Sequence, residues 1–207
     1  MTLAARCLQP DAAPALAGRA NRVWLPALLP FAPRFWRLAV NLPVLDVNGT
    51  LAAALAARRP FRVAAPVAGV FACDPFLRVR DLRAALGRAG IREVVNYPTV
   101  QLHDGESAAT FAALGMRAED EFRILLALAE GGLSPIACAT SPGAAARALA
   151  MGLRRVLLHP GLAPRVDPAG WWADVAAHVA VEGGEALAWQ DATGAQAASS
   201  PRRRIRL

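Results

Sequence analysis

Asp74 and His159 are the side chains of this chain best suited to moving protons, and each follows a short apolar run. Asp74 comes after Val63–Val70 (VAAPVAGV) by way of Phe71, Ala72 and Cys73. His159 closes Arg155–His159 (RVLLH), and Pro160-Gly161 turns the chain behind it. Asn96, Tyr97 and Thr99 stand at or beyond the end of Glu93–Asn96 (EVVN), with His103 and Asp104 further along. Thr140 and Ser141 follow Ser134–Ala139 (SPIACA), and upstream Asp46 and Asn48 occupy a turn-like LPVLDVNG. These residue types suit general acid–base work and carboxylate binding of a divalent metal. Asp74 is the leading carboxylate, with Asp46 and Glu121 behind it. Plainer roles compete at each position. Asp74 before Pro75 can cap a helix, and Asn96 can satisfy loop backbone. His178 is expected at the surface, and Cys73 and Cys138 as small core residues.

The apolar runs alternate with helical patterns. Phe76, Val79, Leu82 and Leu86 recur at helical spacing, with Gly90 as the stop. Glu119–Glu130 is amphipathic through Phe122, Leu125 and Leu126 and ends at Gly131-Gly132. Ser141-Pro142 reads as an N-cap and first helical residue, and Gly152 ends that helix. Asp167-Pro168 starts the next, with Trp171, Val175 and Val179 on one face, and a weak strand follows at Ala186–Trp189. The strands lack polar alternation, as strands buried on both faces do, so the sheet is expected to be parallel. An open doubly wound sheet and a (β/α) barrel both fit. In either, chemistry collects at the carboxyl ends of the strands. Neither G-x-G-x-x-G nor G-x-x-x-x-G-K-[ST] occurs, which removes the best support for a nucleotide loop.

The 207 residues suit a single domain, and 55% hydrophobic with 19% charged residues excludes disorder along the whole chain. The expected organisation is a loose Ala/Pro-rich leader at 1–20, a barrel-like domain at 21–190 and a frayed basic tail at 191–207. All 23 basic residues are arginine, a sign of genome composition rather than function. The net charge of +7 concentrates toward the two ends, with Arg202, Arg203, Arg204 and Arg206 in the tail. No aromatic residues interleave with these arginines, so nucleic-acid binding is not expected. The best apolar stretch, Val23–Pro33, falls short of the roughly 20 residues a membrane helix needs. Cys7, Cys73 and Cys138 form neither a disulfide framework nor a metal pattern, and a cytoplasmic location is the default.

One ordered series of motifs is familiar. It runs Pro66-Val-Ala-Gly-Val70, Cys73-Asp-Pro-Phe76, Gly90-Ile-Arg-Glu-Val-Val-Asn96-Tyr-Pro-Thr-Val100, Leu102-His-Asp-Gly105 and Leu114-Gly-Met116. It resembles the P-V-x-A-G-V…D-P-F…N-F-P-T-V-G-L-x-D-G…G-M series of the phosphoenolpyruvate hydrolase-like family of TIM barrels. Glu121 and Arg155-Val-Leu-Leu-His159-Pro-Gly-Leu162 are similar to its E…H-x-G-L segment, and Leu42-Pro43…Asp46-Val-Asn48 to its L-L-P-Y-G-D-A-N.

The resemblance implies a parallel (β/α) TIM-type barrel acting on phosphoenolpyruvate, phosphonopyruvate or another 2-oxo acid. If active, it would be a metal-assisted hydrolase or lyase. Asp46, Asn48, Asp74, Asn96, Thr99, Glu121 and His159 would line the pocket. In this assignment Asp74 and Glu121 serve a divalent metal, magnesium foremost, or acid–base work. Asn96 and Thr99 bind substrate oxygens, and His159 transfers a proton or stabilises an oxyanion. The chain departs from the family at its opening Gly-rich loop, at Ala112-Ala113 in place of an acidic pair, and after His159. There Ala163-Pro-Arg-Val166 replaces a T-x-G-G anion loop. Arg34, Arg37 or Arg165 could restore the positive charge. A whole TIM barrel takes about 250 residues, so an incomplete one is expected, its first and last units missing or degenerate. Its open edges would favour a homo-oligomer. The alternative function is a divergent, non-catalytic barrel serving as a binding or assembly subunit.

Overall fold

The computed structural model describes residues 7–11, 22–41, 45–61, 65–162 and 168–189. Seven strands form its sheet: β1 (Cys7–Asp11), β2 (Arg22–Trp24), β3 (Val67–Gly69), β4 (Glu93–Val95), β5 (Ser134–Ala139), β6 (Arg155–Leu158) and β7 (Glu185–Trp189). Each pairs parallel with the next. The sheet curls until β7 pairs with β1, Cys7 beside Ala188 and Leu8 beside Trp189. This excludes the open doubly wound alternative. The architecture is a curled parallel α/β sheet of the TIM type with seven described strands, not eight. Because the terminal strands pair with each other, open edges are no ground for self-association.

Seven helices accompany the described strands: α1 (Trp36–Ala39), α2 (Val47–Ala56), α3 (Val79–Arg88), α4 (Gly105–Ala113), α5 (Ala118–Ala129), α6 (Pro142–Ala150) and α7 (Pro168–Val181). Short 3-10 turns lie at Pro26–Leu28, Pro33–Phe35 and Val100–Leu102. The Ser141 hydroxyl caps α6 by accepting from the Ala144 N–H at 3.2 Å, with Pro142 at its first position. Gly90 and Gly152 follow α3 and α6 with φ of 75° and 97°, a conformation that costs glycine no Cβ clash. None of the described helices is long and apolar enough to cross a membrane.

Two cores share the strands. Successive strand side chains point to opposite faces of a sheet. Inside the curl lie Leu8, Val23, Val67, Val95, Ile136, Cys138, Leu157 and Leu187. Outside, beneath the helices, lie Trp24, Ala68, Val94, Ala137, Ala139, Val156, Leu158 and Ala186. The outward set is rich in alanine, which lets α5, α6 and α7 pack close against the sheet. The inner core continues past the carboxyl end of the strands through Leu25, Leu28, Ala39, Val40 and Leu102. The segment after β2 therefore folds over that end. Arg37 of α1 reaches across to donate to the carbonyls of Gly161 (3.0 Å) and Leu162 beyond β6.

Several expectations change. β1 lies inside the stretch 1–20 read as a loose leader; a five-residue strand containing Pro10 carries too little pattern to show in an Ala/Pro-rich context. Asp46 and Asn48 are not in a turn: Asp46 caps α2, its Oδ1 accepting from the Gly49 N–H at 2.8 Å, and Asn48 sits in the first helical turn. Gly105–Ala113, which carries no helical apolar pattern in the sequence, is α4. The frayed tail at 191–207, Arg165 and Asp167 lie outside the described residues.

Candidate functional site

The carboxyl end of the curled sheet carries three groups of the expected residues. The first surrounds His159. β6 points Leu157 into the inner core, so His159, two residues on, follows it to the mouth. The ring is 1% exposed. It stacks on Tyr97 with centroids 5.4 Å apart and an interplanar angle of 29°, and lies 4.9 Å from Trp189. Tyr97 and Trp189 are themselves 4.3 Å apart. The Gly161 N–H donates to His159 Nδ1 at 3.0 Å, which puts the proton of the neutral ring on Nε2. Arg37, on the carbonyls of Gly161 and Leu162, holds the same turn from the opposite side. Arg37 thus lies beside the turn that follows His159, while Arg165 is outside the described residues.

The second group is built on Glu121, in the first turn of α5. Its side chain is wholly buried. Oε2 accepts from Thr99 Oγ1 (2.5 Å), Asn96 Nδ2 (2.9 Å) and Gln101 Nε2 (3.4 Å). Oε1 accepts from the Val100 N–H at 3.0 Å. The clasp extends to β5. The Cys138 N–H donates to Asn96 Oδ1 at 2.7 Å, and Gln101 Nε2 donates to the Cys138 carbonyl at 2.8 Å. Burial pushes the Glu121 carboxyl up to about 7, against the opposing pull of its hydrogen bonds from Thr99, Val100, Asn96 and Gln101. Asn96 and Thr99 thus meet Glu121 of α5 just beyond the end of β4.

The third group is Asn48 with Asp74. Asn48 Nδ2 donates to the Phe71 carbonyl and to Asp74 Oδ2, both at 2.8 Å, and its Oδ1 accepts from the Phe71 N–H at 3.1 Å. Asp74 Oδ1 accepts from the Phe76 N–H at 2.8 Å. Asp74 is half-buried, and Asn48 pins the loop after β3 to α2. Asp46 is exposed and serves as a helix cap. His178 is exposed, and Cys138 is a buried residue of the inner core. Burial, with the charges of Glu121 and Asp120, pushes the Cys73 thiol up to about 12, which leaves it a poor nucleophile.

Metal binding was expected at Asp74 and Glu121. Glu121 is the poorer metal ligand of the two, because it is wholly buried and its Oε2 is taken by three donors of the protein. Among the described residues, no group of three or more His, Cys, Asp or Glu is placed to hold a metal ion. Asp74 differs: each oxygen takes one hydrogen bond and keeps a lone pair. Gln101 also belongs to this clasp, but it lies past the strand-end residues Asn96 to Thr99 that the sequence singles out. The one signal was positional, since the family series N-F-P-T-V-G-L has glycine where this chain has Gln101.

The motif series carrying Asp74, Asn96, Thr99, Glu121 and His159 falls within residues 37–172, which match the family model described as "Phosphoenolpyruvate hydrolase-like". The chain is also similar to "Uncharacterized protein y4oT" of Sinorhizobium fredii (strain NBRC 101917 / NGR234), 38% identical over 115 residues. That match covers 55% of this chain and 58% of the relative's length. With the curled parallel sheet beneath it, a family match over most of the chain means that this protein belongs to the phosphoenolpyruvate hydrolase-like family.

Proposed function

We propose that the chain binds and turns over a small phosphoenolpyruvate-type or other 2-oxo-acid substrate at the carboxyl end of its sheet, with His159 as the group that meets it. The observation that carries this reading is the setting of His159. Its ring is buried at the strand end, stacked on Tyr97, and oriented by the Gly161 N–H so that Nε2 bears the proton. A fixed N–H at that point would stabilise the oxygen of a carbonyl or enolate as charge develops there. Such a preorganised donor acts most strongly where water is excluded. Asp74 would hold a magnesium ion together with water and substrate oxygens, as that ion is commonly held by one or two carboxylates. Bound there, the metal would polarise a substrate oxygen as a Lewis acid. Arg37 supplies positive charge beside the same turn.

The second reading, a non-catalytic binding or assembly subunit, draws on the Glu121 clasp, where Asn96, Thr99 and Glu121 spend their hydrogen bonds on one another. The test is release of inorganic phosphate from phosphoenolpyruvate and phosphonopyruvate, with and without magnesium. His159→Gln and Asp74→Ala variants are run beside it. Turnover that falls by about two orders of magnitude or more in His159→Gln supports the enzymatic reading. Turnover unchanged in that variant sinks it. Absence of turnover on both substrates from folded protein favours the binding subunit.

A further inference from the structure

The β4 loop joins the two best-built groups of the site. Asn96 and Tyr97 are neighbours in the chain just beyond β4, where the Tyr97 N–H donates to the Val95 carbonyl at 2.9 Å. Asn96 faces outward to Glu121; Tyr97 faces inward, into the inner core and onto His159. Glu121 therefore grips the chain on both sides of Tyr97. Asn96 precedes it, and Thr99, Val100 and Gln101 follow it, all donating to one carboxylate. Gln101 and Asn96 also fix the loop to Cys138 of β5, from one side through its carbonyl and from the other through its N–H. The stretch 96–101 is thus tied at four donors to a residue of the adjacent helix and at two points to the adjacent strand. Within this stretch, Tyr97 stacks on His159.

We infer that Glu121 is a positioning residue of the His159 site: its carboxylate holds the 96–101 loop so that the Tyr97 ring stays stacked on the imidazole. This places Glu121 in a different role from the metal ligand or acid–base group that the sequence suggested. Gln101 and Thr99 are the parts of the device that deliver the loop to the carboxylate. The functional meaning rests on the reading of His159 given above, whereas the stacking itself can be tested without turnover.

Tyr97 is the one tyrosine of the chain, and His159 is one of three histidines. Nuclear Overhauser contacts between tyrosine and histidine rings therefore report this stack with little ambiguity, and a His159→Gln spectrum assigns the signal. Glu121→Ala should lose the contact while the far-ultraviolet circular dichroism stays that of a folded α/β protein. Glu121→Gln keeps the side-chain length and one acceptor oxygen and should retain the contact. Thr99→Val removes one donor to the carboxylate and should weaken it; if Glu121→Ala does not fold, this variant decides. Phe122→Leu is the control, being the neighbour on α5 that packs in the outer core. A Tyr97–His159 contact that survives in Glu121→Ala or is unchanged in Thr99→Val overturns the inference. So does equal loss in Phe122→Leu, which would mark the effect as general loosening. Loss confined to the clasp variants in a protein without turnover would sustain this inference and remove the enzymatic reading.

Discussion

Replacing Glu121 by glutamine should flatten the pH dependence of stability between pH 5 and pH 8. Burial raises the folded carboxyl from the ordinary 4.5 to about 7. The folded state therefore holds its proton more tightly than the unfolded state across that interval. Its stabilising contribution is fully present below 4.5 and is lost as pH rises through 7. For these two values, linkage makes the wild-type protein roughly 2–3 kcal/mol less stable at pH 8 than at pH 5 through this group alone. His103, whose basicity burial lowers, works in the opposite direction, since its unfolded form takes up a proton first as pH falls. Comparing wild type with Glu121→Gln cancels that contribution, and the difference between the two curves isolates Glu121. Urea unfolding at half-unit pH steps supplies the free energies. The variant's altered hydrogen bonds shift its stability at every pH, so the slope, not the offset, is the quantity compared. Parallel curves from pH 5 to pH 8, or a wild-type curve that rises more steeply with pH than the variant, would refute the reasoning.

Two further perturbations test the fold around the site. Gly69→Ala at the end of β3 would put a Cβ 2.7 Å from the Tyr97 carbonyl and 2.5 Å from Leu25 Cδ2. It should cost about 1–3 kcal/mol as overpacking, seen as a lower urea midpoint at unchanged slope, and a neutral result would mean the strand end can yield. Arg155→Met at the amino-terminal end of β6 removes the guanidinium that bridges Glu93 (2.6 Å) and Glu185 (2.7 Å). With the pair partly solvated, a loss of about 1 kcal/mol is expected, smaller in high salt, and a loss independent of salt would point to packing instead.

The ends of α6 and the strand β5 were open to sequence reading because local chemistry sets them, whereas Phe76, at helical spacing with Val79, lies before α3 and is exposed. Ser141-Pro142 begins α6 where an N-cap and a first-turn proline must, and Ser134–Ala139 is β5 over the range its unbroken apolar run indicated. β1 contains a proline, and β2 merges into the longer proline-broken apolar stretch to Pro33, so neither stands out as a strand. α4 has no buried residue, and a helix without a buried face leaves no hydrophobic stripe in the sequence.

The sequence by itself determined the parallel α/β class, the family, and most of the polar residues that meet one another near the strand ends. Those follow from apolar runs, caps and an ordered motif series, all of which are local or linear. Only the tertiary structure decided which way each residue faces. Asn96 and Tyr97 differ by one position and point to opposite sides of the sheet, one to a buried carboxylate on α5 and the other to His159. Glu121 is in sequence one carboxylate behind Asp74, and in space its oxygens accept from Asn96, Thr99, Val100 and Gln101. The pairing of β1 with β7 was equally invisible, because it joins residues from the two ends of the described chain. Such contacts are set by how the sheet curls, and no local spacing encodes that.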